Sequence, residues 1–287
     1  MRKLGIGAAL AATLSCCTTA SAADLSTPPP PAPAAPVVAP SGWQFQATLP
    51  LWALGIDGSV GVGRLPAANV NASFADILKN LKGVFASTFI AHNDTFIVGL
   101  DLMWSRVGTG VTFKLNGDGP FANLRSGSSA SFQQDQTIGT AFAGYRIPIG
   151  SPDMSLYGTL GARYQNLSAK VSLSHQFPGI LGQPAGFTLV SNQTVDWVDP
   201  LIGLAMNYRI NEKWFLNAYG DVGGFGVASK LTSQGIIEVG YNWTPSISSE
   251  LGFRVLYTDY QRNNGNGGSF RYDTTMYGPV TSLSYHF

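Results

Sequence analysis

Residues 236–243 read IIEVGYNW, with Ile237, Val239, Tyr241 and Trp243 on one face and Ile236, Glu238, Gly240 and Asn242 on the other. A period of two with one apolar face marks a β-strand, because successive side chains leave a strand on opposite sides. The next stretch repeats the pattern: Leu251, Phe253, Val255 and Tyr257 lie opposite Glu250, Gly252, Arg254 and Leu256. In a soluble protein the apolar face would meet a core. In a membrane barrel it meets lipid and the other face lines the lumen.

Composition decides between the two. Charged residues make up 11% of the 287 residues, against roughly 25% in an ordinary soluble domain. Glycine stands at 34, with 16 Phe, 11 Tyr and 6 Trp. Beyond the first 23 residues no stretch has the roughly 18 consecutive apolar residues of a spanning helix. Only helices and closed barrels satisfy every backbone group in lipid. The fold class expected is therefore all-β, a transmembrane antiparallel up-and-down β-barrel. A net charge of +1 gives no reason to expect a nucleic-acid partner.

Extending the alternation predicts ten strands, near 43–59, 82–92, 95–113, 130–147, 154–172, 192–210, 213–229, 231–244, 247–262 and 269–287. The connections at His92-Asn93-Asp94, 148–153, Asn211-Glu212 and Thr244-Pro245-Ser246 are short and carry turn residues. Those at 60–81, 114–129, 173–191 and 263–268 are mostly longer. Short turns on one side and longer loops on the other predict periplasmic turns, outer loops and both chain ends in the periplasm. The connection at 228–230 is short on the outer side, so an eight-strand count stays open. Within 73–83, Phe74, Ile77, Leu78 and Leu81 fall at helical spacing behind Ser73, predicting one short capped helix in the first outer loop, packed on the barrel.

The chain divides into a signal peptide over 1–23, a Pro/Ala-rich periplasmic spacer over 24–41 and a barrel domain over 42–287. Arg2 and Lys3 precede a short apolar run and small residues up to Ala23, the order of an export signal. Cys16 and Cys17, the only cysteines, would leave with it; cleavage at one of them as a lipoprotein is the rival reading.

Alternation sends Asp101, Arg146, Arg163, Asp199, Arg209, Asp221, Glu238, Glu250 and Arg254 to the lumen. Mixed signs predict a paired polar network rather than the like-charged ring of an ion-selective channel. Ten strands stand near the width that side chains fill, far from the sixteen or more of an open porin. The expected function is an integral outer-membrane barrel with a structural or surface-exposed role. The alternatives are a narrow channel for ions or small solutes, and adhesion through the outer loops. His92, His175 and His286 lack metal-binding spacing, and Ser172 and Ser174 beside His175 have no acid in their loop, so neither catalysis nor a metal or cofactor is expected. Asn116-Gly117-Asp118-Gly119 reads as a turn. Trp43, Trp104, Trp214 and Trp243 are expected at the membrane interfaces.

The stretch 219–226, YGDVGGFG, has the glycines of a phosphate loop, but the segment from Leu231 onward alternates as another strand instead of forming a helix. YGDVGGFG therefore reads as a bent wall strand with Asp221 in the lumen, paired with Arg209 or Arg254.

Trp197–Leu204 (WVDPLIGL), Tyr208–Trp214 (YRINEKW), the GDVGGFGVAS stretch, Gly252–Tyr260 (GFRVLYTDY) and Tyr277-Gly278-Pro279, in that order, resemble an alphaproteobacterial outer-membrane β-barrel family. The resemblance covers about residues 43–287 and is strongest from 194 onward. It implies an integral outer-membrane protein and supplies neither a substrate nor catalytic residues. The last strand, with Leu283, Tyr285 and terminal Phe287 on one face, resembles the sorting signal that the barrel assembly machinery reads. The partners expected are outer-membrane lipids and that machinery.

Overall fold

The structure is a computed structural model that describes residues 42–63, 67–112, 128–177, 185–264 and 268–287. The expected signal, the whole of the spacer, and the 113–127 and 178–184 segments, including Asn116–Gly119, lie outside the described residues.

Twelve strand runs and one helix follow in chain order: β1 Gln44–Trp52, β2 Gly55–Gly63, β3 Ala68–Ala72, α1 Phe74–Asn80, β4 Leu81–His92, β5 Phe96–Thr112, β6 Ser128–Ile147, β7 Met154–Phe177, β8 Ala185–Arg209, β9 Trp214–Gly223, β10 Leu231–Asn242, β11 Ile247–Asn264 and β12 Gly268–His286. Each of β4 to β12 pairs antiparallel with its sequence neighbour, and β1 pairs with both β4 and β12 to close the ring. β1 and β2 lie in one continuous register along β12, Trp52 opposite Val280 and Gly55 opposite Tyr277. They are one wall strand interrupted at Ala53-Leu54, so the wall is a closed ten-strand antiparallel barrel with one short helix.

The outward residues form an apolar belt. Along β8, Val198, Ile202, Leu204 and Tyr208 are exposed while Val195, Trp197, Asp199, Leu201 and Ala205 are buried. At a rise of about 3.4 Å per residue and a tilt near 45°, the stretch from Val198 to Tyr208 spans about 24 Å, the height of the lipid-facing band of such barrels. Trp214, Tyr241 and Trp243 form an edge-to-face chain at the turn end, with Lys213 over Tyr241. Phe45, Phe89, Tyr285 and Phe287 form a second aromatic group there. Trp43, Trp214 and Trp243 are exposed, whereas Trp104 is half-buried, donates to Asp135 and stacks under Arg106.

The connections depart from expectation. Residues 60–81 are not a loop: β2 turns back into β3, and α1 joins β3 to β4. The β1–β4 ladder stops at Thr48–Thr88, although β4 goes on pairing with β5 as far as Leu81–Val107. Among the described residues no ladder joins β2 or β3 to β4, and α1 fills that arc. α1 is shorter than predicted. Ser73 caps it by accepting from the Asp76 N–H while Asp76 reaches back to the Ser73 N–H, and it ends at Asn80, Leu81 already being extended strand. Its one buried side chain is Ile77; Phe74 and Leu78 are exposed.

β7 and β8 run for 24 and 25 residues, well past the belt, so much of the expected loop at 173–191 is strand, His175 included. β9 stops at Gly223 rather than continuing to 229. Gly224, Phe225 and Gly226 take positive φ of 85°, 48° and 76°, which makes GGFG a tight turn at the low rim between β9 and β10. Two of the three are glycine because left-handed backbone costs other residues more.

Candidate functional site: the lumen

Lumen-facing side chains sort into three zones from the turn end to the loop end. At the turn end is a cavity of about 700 Å³. Its walls mix polar groups with the rings of Phe142, Tyr157, Phe215 and Tyr219, Phe142 and Tyr219 being stacked at 4.8 Å. Glu250 and Glu238 project into it from β11 and β10, one register step apart, since Glu238 pairs with Gly252 and Gly240 with Glu250. Glu250 accepts from Gln46 at 3.3 Å and Ser284 at 2.8 Å on one oxygen and from Asn217 at 3.0 Å on the other. Glu238 accepts from Ser282 at 2.9 Å. No cation lies within salt-bridge distance of either among the described residues.

Two buried ion pairs stand in the lumen, the Asp101–Arg254 pair in the cavity wall and the Arg163–Asp221 pair outside its lining. Arg254 meets Asp101 at 2.5 Å, donates to Gln234 and lies 4.8 Å from the Trp52 ring centroid, while Thr88 donates to the same Asp101. Arg163 meets Asp221 at 2.6 Å with both side chains fully buried, and spends its other donors on Thr140 and Thr232. Satisfied donors and a paired charge are what make an arginine tolerable away from water. Asp199, also fully buried, pairs with no cation among the described residues. It accepts from the Ser229 N–H and hydroxyl and from the Trp197 indole, tying the GGFG turn to the wall.

The loop half holds an apolar cluster that the sequence analysis did not expect, packed around the buried polar side chains Gln136 and Gln165. Val60, Val62, Ile138, Leu167, Leu256, Phe270 and Tyr272 are all at most 2% exposed, and Trp197 stacks on Tyr260 at 4.1 Å across the lumen. Filling of this kind matches a barrel of small strand number.

The expected charges therefore separate. Asp101, Arg163, Asp221 and Arg254 form the paired layer, Asp199 anchors a turn, and Glu238 and Glu250 face the cavity. Arg146 and Arg209 belong to the turn-end rim, pairing with Asp94 at 3.8 Å and Asp153 at 2.8 Å. The partner of Asp221 is Arg163, not Arg209 or Arg254: the three-strand run β7–β8–β9 brings Arg163 and Asp221 to one level, a stagger invisible in any single strand. Gln46, Asn217, Ser282 and Ser284 hold the two acids, a role the sequence analysis did not assign them. Their signal was polarity at lumen parity on β1, β9 and β12. His92 and His286 stand at the turn end of the lumen, where the His286 ring nitrogen and the Ser248 hydroxyl share a hydrogen bond of 2.8 Å.

A closed antiparallel wall with an apolar belt, aromatic turn-end groups and a packed lumen defines a transmembrane β-barrel of the outer-membrane kind. Three solved structures are similar to the chain, and the first of them shares its fold. The outer membrane protease OmpT of Escherichia coli superposes with a TM-score of 0.55 at 11% identity, over 85% of this chain and 97% of that one. A Pseudomonas aeruginosa FadL homologue matches at TM-score 0.34 and 11% identity over 85% and 90% of the two chains. The outer membrane protein AlkL in DMPC bilayers matches at 0.32 and 13% over 85% and 89%. No family model and no curated protein matches the sequence.

Proposed function

We propose that the barrel is a narrow, gated passage for small solutes. The observation that carries this reading is the cavity of about 700 Å³, large enough for a small solute. A purely structural plug would fill both halves alike. The expected structural role thus yields to its channel alternative. The gate is the arc between β2 and the upper part of β4, where among the described residues no strand ladder forms and α1 packs on β5. Among the described residues the hairpin is laddered to the wall through β12 alone, which leaves it fewer hydrogen bonds to break than a strand paired on both sides.

In this reading the turn end, which carries Gln44 and Phe287, faces the periplasm, and Phe287 closes a strand that the assembly machinery engages. Motifs such as WVDPLIGL support placing the chain in the alphaproteobacterial barrel family.

The test is uptake of glycerol by liposomes holding the refolded mature chain. A second sample carries Ile77→Cys and Met103→Cys, residues of one apolar cluster, joined by a short bifunctional thiol reagent. Uptake above protein-free liposomes, lost on cross-linking, supports the gate. Wild-type protein with no uptake refutes the passage.

A further inference from the structure

We propose that the turn-end cavity also opens sideways, through the wall between β1 and β4, and that a small apolar solute dissolved in the bilayer enters it there. The inference rests on the passage reading for its role and on the geometry of the wall for its route and solute class.

The ring is incomplete at membrane depth. The last β1–β4 pair is Thr48–Thr88, and both strands run on past it, β1 to Trp52 and β4 back to Leu81. That pair lies in the apolar belt, with the exposed outward residues Leu49, Phe89, Leu100 and Leu283 around it. Backbone groups without partners are costly in lipid, so this part of the ring is the least tightly held. Two side chains mark the break. Pro50, two residues past the last pair, has no N–H to give a ladder, and proline in a sheet belongs to such edges. Val84 has the lumen parity of Thr88, and its β5 partner Ser105 is 6% exposed. Val84 itself is 54% exposed, because among the described residues no strand is laddered to β4 on its other side there.

Two hollows meet at this break. Inside, Thr48, Pro50 and Thr88 line the turn-end cavity. Outside, a groove of about 480 Å³ is bounded by Leu49, Ser87, Phe89, Leu100, Leu283 and Tyr285, and Thr48 and Thr88 belong to its lining too. One thickness of wall at the last ladder pair therefore stands between them. The solute class follows from what it must cross. Among the described residues no charged side chain lines the groove, and a polar solute would shed its water there without gaining partners. Inside the cavity the rings of Phe142, Tyr157 and Phe215 offer apolar contact. Toward the loop end Ile138, Leu167, Leu256 and Phe270 are each at most 1% exposed, so that half of the lumen leaves no open way along the axis.

Photolabelling of the refolded mature chain in lipid vesicles tests this. The probe is trifluoromethyl phenyl diazirine, a small apolar reagent that dissolves in the bilayer, and mass spectrometry places the adducts. Adducts are expected on the exposed belt residues Ile202 and Leu204 and also on Phe142 and Phe215, which are buried in the cavity wall. Leu49 and Ser87 are the outward positions next past the last pair on each strand, so Ser87→Trp and, separately, Leu49→Trp fill the groove. Each should abolish the Phe142 and Phe215 adducts and leave Ile202 and Leu204 labelled, in barrels that keep their folded, heat-modifiable mobility in gels. Leu49 is 60% exposed on the lipid side, so its variant serves should Ser87→Trp not fold. Cavity residues without adducts in the wild type overturn the inference. Cavity adducts that persist in a folded groove variant overturn it too, because the probe then enters by the turn end. Glycerol uptake by wild-type liposomes separates the two readings. Uptake without cavity adducts leaves the passage standing and sinks the sideways route; groove-dependent adducts without uptake do the reverse.

Discussion

Replacing Asp221 by Asn removes one charge from a pair whose side chains are both wholly out of solvent. The amide keeps the shape and retains one acceptor for the Arg163 Nη2, which now stands 2.6 Å from a carboxylate oxygen. The guanidinium stays anchored by Thr140 and Thr232, so it has no route to water and its charge is left uncompensated. Breaking a buried pair in this way costs about 3–5 kcal/mol. Arg163→Met, which strands the Asp221 carboxylate, costs a similar amount for the opposite reason. The double variant carries no charge at this pair and loses less than the sum, because neither partner is left as an unpaired buried charge. Reversible urea unfolding in lipid vesicles, followed by the fluorescence of the 6 tryptophans, reads all four proteins. A loss below about 1 kcal/mol for Asp221→Asn, or two single losses that simply add, would show that the pair is hydrated or uncoupled and refute the reasoning.

Two further outcomes are expected. Gly226 has a φ of 76° and open space where a Cβ would stand, so Gly226→Ala isolates backbone strain and costs about 1–2 kcal/mol in the same unfolding assay. Gly226→Asn should cost less, since asparagine tolerates that region, and equal losses would argue that the turn is not left-handed. In α1 the Ser73 hydroxyl and backbone N–H hold the Asp76 carboxyl below the usual carboxylate range. Because its folded pKa is depressed, the cap's contribution is present above the unfolded pKa and is lost as pH falls through the folded one. Ser73→Ala should raise the Asp76 midpoint in a carboxyl NMR titration; an unmoved midpoint would deny the capping box.

The wall was legible because β8 to β12 alternate cleanly: an apolar face such as Leu251, Phe253 and Val255 has only lipid to meet. The loop half was not, since Ile138, Leu167, Leu256 and Phe270 face inward on strands whose outer faces turn polar above the belt, as with Asn166, Ser168 and Lys170. There the rule of polar inside and apolar outside inverts to that of a soluble core. The β2–β3 hairpin was hidden for a related reason: Val60, Val62 and Val70 alternate, but over runs too short and glycine-rich to outweigh the reading of a loop. GGFG was misplaced because glycine serves both bent strands and left-handed turns, and only Ser229 reaching Asp199 fixes the second. The lumenal charges were found by parity alone. Their pairing depends on the stagger between strands, which parity does not carry.

The division of the lumen into an open turn half and a packed loop half is tested most directly by cysteine accessibility. Asn217 lines the turn-end cavity and Ile138 is fully buried in the loop half. In the folded barrel, Asn217→Cys should react with a small water-soluble maleimide nearly as fast as the exposed control Lys213→Cys. Ile138→Cys should stay unlabelled until the barrel is unfolded. Equal labelling of Asn217→Cys and Ile138→Cys in the folded state would mean an open pore, and silence at both would mean a lumen filled throughout; either result contradicts the account.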